Sequence, residues 1–123
     1  MKRQIRLKVG SITMPAELND TKTADAIWQA LPINSHANVW GDEIYFTIPL
    51  KMRSENGKEV VNLGELGYWP PGNAFCIFFG PTPVSAKGEI RAASAVNIFG
   101  KVVGDPKVFQ QVKQGQDIRI ERV

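Results

Sequence analysis

The stretch that decides the fold reads GELGYWPPGNAFCIFFGPTP and spans residues 64–83. It holds five of the eleven aromatic residues and four of the eight prolines of the chain. Rigid apolar side chains at this density are costly to leave in water. The segment therefore builds either a central wall of a β core or the rim of an apolar pocket, and both interpretations stay open at this point.

Residues 74–79 within this stretch alternate between two apolar faces of a strand. The two sets are Phe75, Ile77 and Phe79, and Ala74, Cys76 and Phe78. A strand that is apolar on both faces is buried on both, which predicts a wall covered from outside by a helix or loop. Residues 68–71 (Tyr-Trp-Pro-Pro), by contrast, precede a Pro-Gly turn. We call them the aromatic-proline rim and predict that Tyr68 and Trp69 border a pocket.

Period-two patterns on either side predict further strands. Gly10-Ser11 and Gly41-Asp42 are glycine-first hairpin turns, the second joining strands near 35–40 and 43–48. A helix is predicted from about Thr21 to Ala30, and a second one starts with Asp105 as N-cap. The sequence thus predicts one domain over residues 1–123, mainly β. It would be a closed barrel of about eight strands with two short capping helices, and the alternative is a β-sandwich with peripheral helices.

Composition is that of an ordinary globular protein, with 43% apolar residues, 22% charged residues and a net charge of +3. No apolar run approaches the ~20 residues needed to cross a bilayer, which predicts a cytoplasmic protein with no membrane partner. The basic residues gather in 2–8 and 119–122, where Asp117 and Glu121 interleave with the second group. Solvated strand faces explain them better than a nucleic-acid site.

No catalytic constellation or cofactor-binding motif stands out in the sequence. Cys76 lies between Phe75 and Ile77 without a charged neighbour in sequence, which is typical of a buried, inert thiol. His36 is the single histidine, and no carboxylates or thiolates accompany it at ligand spacing, so we expect no metal and no cofactor. Among polar residues, Glu65 and Asn97 interrupt apolar stretches, and Arg91 lies in a long loop or strand entry. Each forms either a structural hydrogen bond or ion pair, or the polar end of a pocket. Together, Glu65 and Arg91 form either a salt bridge or the polar end of a pocket.

Two runs carry a family resemblance: residues 64–85 and AVNIFGKVVGD at 95–105. Together they resemble a family of small uncharacterised prokaryotic proteins with a cyclophilin-like barrel. The piece FGKVV at 99–103 also resembles true cyclophilins. The resemblance implies an eight-stranded barrel with two capping helices.

True cyclophilins are peptidyl-prolyl isomerases that use an apolar proline pocket and an arginine that polarises the prolyl nitrogen. Their active strand reads FHRxIPxFMxQGG, and the nearest stretch here is residues 44–52. Aligning Ile48-Pro49 with the family's Ile-Pro puts Phe46 in place of the arginine and Met52 in place of the pocket methionine. The resemblance therefore implies the fold without efficient isomerase activity.

The resulting functional hypothesis is a cyclophilin-like domain whose side cleft binds a small molecule or an extended, proline-containing peptide. The residues predicted to form that cleft are Phe46, Met52, Glu65, Tyr68, Trp69, Phe78, Phe79, Arg91 and Asn97. One alternative is a divergent prolyl isomerase that uses Arg53 or Arg91. Another is an interaction subunit or homo-oligomer that associates through the aromatic-proline rim.

Overall fold

The computed structural model of the chain describes residues 3–123, so Lys2 of the basic N-terminal group lies outside the described residues. Ten strands form in this part of the chain, and every pairing between them is antiparallel. They are β1 Gln4–Val9, β2 Ile12–Leu18, β3 Ile33–His36, β4 Asn38–Trp40, β5 Glu43–Thr47, β6 Lys58–Val61, β7 Glu65–Trp69, β8 Ala74–Phe78, β9 Ile90–Val102 and β10 Asp117–Arg122.

The strands pair in the order β3-β10-β1-β2-β9-β7-β8-β5-β4, and β6 pairs with β9 beside this path. The thirteen-residue strand β9 joins the two parts of the structure. Its C-terminal half pairs with β2 and β7, whereas β6 pairs with its N-terminal half. We call the second pairing the β6–β9 ribbon.

The prediction of a closed eight-stranded barrel is wrong, although the mainly β architecture is confirmed. Within residues 3–123 the sheet ends at β3 and β4, and no strand pairing joins these two edges. Only Ala37 separates them in the chain, and one residue is too short a connection for an antiparallel hairpin. The strand expected near residues 35–40 is therefore divided at Ala37, which contributes to the higher strand number.

Both predicted helices form where the sequence placed them. Helix α1 covers Lys22–Ala30, and the N-cap Thr21 accepts a hydrogen bond from the backbone N–H of Ala24. The second is a six-residue 3₁₀ helix over Pro106–Gln111, whose N-cap Asp105 accepts from the N–H of Lys107. A further 3₁₀ turn, Pro70–Gly72, follows the aromatic-proline rim.

The two apolar faces of β8 enter two separate hydrophobic clusters, as the alternation predicted, but the outer cover is the β6–β9 ribbon and not the expected helix or loop. Phe75, Ile77 and Phe79 belong to the main core, where Phe75 stacks on Phe46 with ring centroids 4.9 Å apart. On the other face a smaller cluster forms between the sheet and the β6–β9 ribbon. Its buried members are Val61, Ala74, Cys76, Phe78, Ala92 and Val96.

Gly100 on β9 leaves no room for a side chain, because the backbone of β2 lies directly against it. A Cβ at this position would lie 2.3 Å from the backbone oxygen of Glu17 on β2, and no side-chain rotation relieves such a clash. We expect Gly100→Ala to lower the free energy of unfolding by about 3 kcal/mol, measured by urea denaturation. The control is Gly88→Ala, where the new Cβ meets nothing within 4 Å and only the positive φ of +82° costs about 1 kcal/mol. Equal losses for the two variants would contradict the role given to Gly100.

Candidate functional site

A pocket of about 160 Å³ opens beside the smaller hydrophobic cluster. We call it the Glu43 pocket. It is bordered by the β4–β5 hairpin, by the end of β7 and by the N-terminal half of β9. The residues that line it are Trp40, Glu43, Tyr45, Trp69, Ala92, Ala93 and Val96.

The strand register explains why these side chains meet on one face. Residues directly opposite each other in an antiparallel pair project to the same side of the sheet. Trp40 lies opposite Glu43 across the β4–β5 hairpin, and Tyr45 lies opposite Cys76 on β8. Trp69 lies opposite Ala74, so it shares the face of Cys76. Because side chains alternate along β5, the intervening residues Ile44 and Phe46 point into the main core instead.

Trp69 is held in place from two directions. Its indole Nε1–H donates a hydrogen bond to Ser94 Oγ at 2.6 Å. The ring also packs against the backbone at Gly72, where a Cβ would lie 2.7 Å from the indole. Contacts within the protein thus fix the position of this indole.

Glu43 is the one carboxyl group among the residues that line the pocket, and it is buried, with 6% of its surface exposed. Its Oε1 atom has no hydrogen-bond partner in residues 3–123. Burial disfavours the ionised form and raises the pKa of Glu43 to about 7. The thiol of Cys76 lies beside it, and burial raises the pKa of that thiol as well, so Cys76 is protonated and inert at neutral pH.

Three of the predicted cleft residues are core residues instead. Phe46, Tyr68 and Phe79 are at most 3% exposed and belong to the main cluster. Tyr68 places its hydroxyl in a polar position at the edge of that core. The hydroxyl donates to Leu50 O at 2.7 Å and accepts from the N–H of Met52 at 3.1 Å.

Asn97 is a buried connector and not the polar anchor of a cleft. Its Oδ1 accepts from the N–H of Glu55, and its Nδ2 donates to Arg53 O and to Thr23 Oγ1. The carboxylate of Glu55 in turn accepts from the N–H groups at the start of α1. Met52 lies in the segment that these bonds hold in place. It lines a separate surface groove together with Lys22, Lys51, Arg53, Ser54 and Glu55.

Glu65 and Arg91 neither pair with each other nor share the pocket with Trp69. Glu65 accepts from the N–H of Asn62 at 2.7 Å and lines a different groove, at the opposite end of β7 from Trp69. Arg91 is partly exposed, and its Nε donates to Glu89 at 2.7 Å. The expectation that one cleft unites the predicted residues is therefore corrected: of that set, Trp69 lines the Glu43 pocket and Phe78 lies buried in the cluster beneath it.

Sequence reasoning missed Trp40, Glu43 and Tyr45. For Glu43 and Tyr45 a signal was available in the sequence. They alternate with Ile44 and Phe46 along β5, which places them on the face opposite the core. What the spacing does not contain is the β6–β9 ribbon, which covers that second face and buries Glu43.

Comparisons with known proteins agree with this architecture. A family model described as cyclophilin-like matches residues 3–121, and the chain belongs to the cyclophilin-like family. Among solved structures, it is similar to a hypothetical protein of Archaeoglobus fulgidus determined in solution. The two share 42% sequence identity with a TM-score of 0.83, over 99% of this chain and 95% of the other. Comparison with curated proteins finds no match.

Several expectations about partners stay predictions. No helix in residues 3–123 is long and apolar enough to span a membrane. Within the same residues, no group of three or more His, Cys, Asp or Glu side chains is arranged so that it could hold a metal ion. The cytoplasmic location, the absence of a nucleic-acid partner and of a cofactor, and self-association through the aromatic-proline rim stay predictions.

The raised pKa of Glu43 predicts a pH-dependent stability. Between pH 4.5 and about 7 the unfolded chain loses this proton while the folded chain keeps it, so stability falls as pH rises through this window. Glu43→Gln removes the titration, and the difference in free energy of unfolding between wild type and variant isolates it from other groups. We expect urea denaturation to show wild type losing roughly 2.5 kcal/mol relative to the variant between pH 5 and pH 8. A difference that does not change with pH would contradict the burial of this carboxyl group.

Proposed function

We propose that this cyclophilin-like domain is a binding domain and that the Glu43 pocket is its ligand site. The observation that carries the proposal is the combination of preformed aromatic walls with a buried carboxyl oxygen that has no partner. A buried polar atom without a hydrogen bond costs free energy, and a donor group on a ligand removes that cost. Rotation about the terminal carboxyl torsion, which is a soft one, presents either oxygen to the pocket.

The size of the pocket favours a small ligand over an extended peptide. Apolar cavities of roughly 150 Å³ hold a molecule of the size of benzene. The 160 Å³ found here match one such molecule, or one side chain. An extended peptide rises about 3.3 Å per residue and needs a groove for several residues.

The same lining argues against prolyl isomerisation in this pocket. An isomerase of the cyclophilin type places a positive donor near the prolyl nitrogen, whereas the charged residue of this pocket is Glu43. Phe46, which stands where the arginine is expected, is fully buried against Phe75. Arg53 belongs to another groove and Arg91 is engaged by Glu89.

Binding to the pocket is testable with benzyl alcohol, which has a benzene-sized body and one hydrogen-bond donor. Titration into ¹⁵N-labelled protein is expected to shift the amide signals of Trp40, Tyr45, Trp69 and Ala93 together. Ala93 is exposed at the pocket, so Ala93→Leu fills the opening at little cost to folding and is expected to weaken binding about tenfold.

Ala86→Leu is the matched control because Ala86 is equally an exposed alanine but lies outside the pocket lining. We expect it to leave the dissociation constant of benzyl alcohol unchanged. Shifts centred on the Met52 groove, or equal weakening by the two leucine variants, would refute the assignment of the site.

For the isomerase alternative, a protease-coupled assay on a proline peptide measures the cis-trans rate directly. We expect micromolar protein to leave the cis-trans isomerisation at its uncatalysed time constant, on the order of tens of seconds at 25 °C. An acceleration that Arg91→Ala or Arg53→Ala removes would establish the divergent isomerase in place of the pure binding domain.

A further inference from the structure

We propose that the ligand of the Glu43 pocket is a protonated amine with a small apolar body. This inference rests on the proposed function and adds the chemical class of the ligand. It concerns the charge of the bound group, which the size and apolar walls of the pocket leave open.

Within residues 3–123, Glu43 has no cationic partner. Six ion pairs of lysine or arginine and one contact between His36 and Asp117 form in the described residues, and Glu43 takes part in none of them. Buried carboxylates in proteins are ordinarily paired, since the isolated ionised group is costly in an apolar environment. A ligand ammonium provides that missing partner, and a hydrogen bond between two ionised groups is stronger than one between neutral groups.

Aromatic side chains form most of the wall around Glu43. Two indoles and a phenol, those of Trp40, Trp69 and Tyr45, border a pocket that has a single carboxyl group. Aromatic rings attract cations through their electron-rich faces, and tryptophan does so most strongly. Neutral apolar ligands need apolar walls alone, whereas a carboxyl group inside aromatic walls suits an ammonium with hydrocarbon substituents.

A ligand ammonium competes with a proton for the carboxyl group of Glu43. The titratable groups around Glu43 are the Cys76 thiol on β8 and the Tyr45 phenol on its own strand. The lining residues of β9 are Ala92, Ala93 and Val96, which do not titrate. Because burial raises the pKa of Glu43 to about 7, a proton occupies the carboxyl group below neutral pH. An ammonium must displace that proton, so its affinity increases with pH up to about 7 and then levels off.

The experiment compares benzylamine with benzyl alcohol, which have the same ring and nearly the same size. Benzylamine is a cation throughout the range from pH 5.5 to pH 8, and the alcohol is neutral. Dissociation constants are measured by NMR titration on wild type and on Glu43→Gln at both pH values. The readout is the ratio of the two constants, so a general change in the pocket cancels. A ¹⁵N–¹H spectrum checks that the variant is folded.

We expect wild type at pH 8 to bind benzylamine about tenfold more tightly than benzyl alcohol. The preference is expected to shrink at pH 5.5 and to vanish in Glu43→Gln. If benzyl alcohol binds in the pocket as tightly as benzylamine at pH 8, the amine inference is overturned and the proposed function stands. If neither probe shifts the pocket signals, both are overturned. Should the variant not fold, an unchanged ratio in wild type between pH 5.5 and pH 8 still overturns the inference.

Discussion

The burial of β8 on both faces is the constraint on which the rest of the structure depends. One face of Ala74–Phe78 contributes to the main core, so the other face needs a separate cover. The β6–β9 ribbon supplies it, because β9 is long enough to leave the sheet and continue in a second pairing with β6. Ala92 and Val96, which complete the smaller cluster, are also walls of the Glu43 pocket. Core formation and pocket formation are therefore consequences of the same apolar strand.

Strand β5 differs in side-chain chemistry from the cyclophilin strand that it resembles. It is the strand that resembles the catalytic strand of cyclophilins, yet Phe46 faces inward and stacks on Phe75. Its other face carries Glu43 and Tyr45 into the pocket. The chemical character of this face is acidic and aromatic, whereas the cyclophilin strand that it resembles carries an arginine. Sharing the fold thus says little about the charge that a bound molecule meets.

The sequence predicts local structure well, but it does not show which distant segment packs over a given strand face. The alternation over residues 74–79 identified both faces of β8, and Thr21 and Asp105 marked the two helix starts, because strand periodicity and caps depend on neighbouring residues. The open sheet was not foreseen, since it follows from the single-residue link at Ala37. Glu43 was missed for a related reason: its burial is produced by β9, some fifty residues further along the chain.

The link at Ala37 also protects the sheet against unwanted association. Open sheets expose backbone N–H and C=O groups at their edges, and long flat edges recruit strands from other chains. Here the edge strands β3 and β4 have four and three residues, and Ala37 between them donates to Gln116 O and accepts from the N–H of Gly115. These two bonds tie the junction of both edges to the segment before β10. At these two edges an approaching chain would find little continuous backbone to pair with.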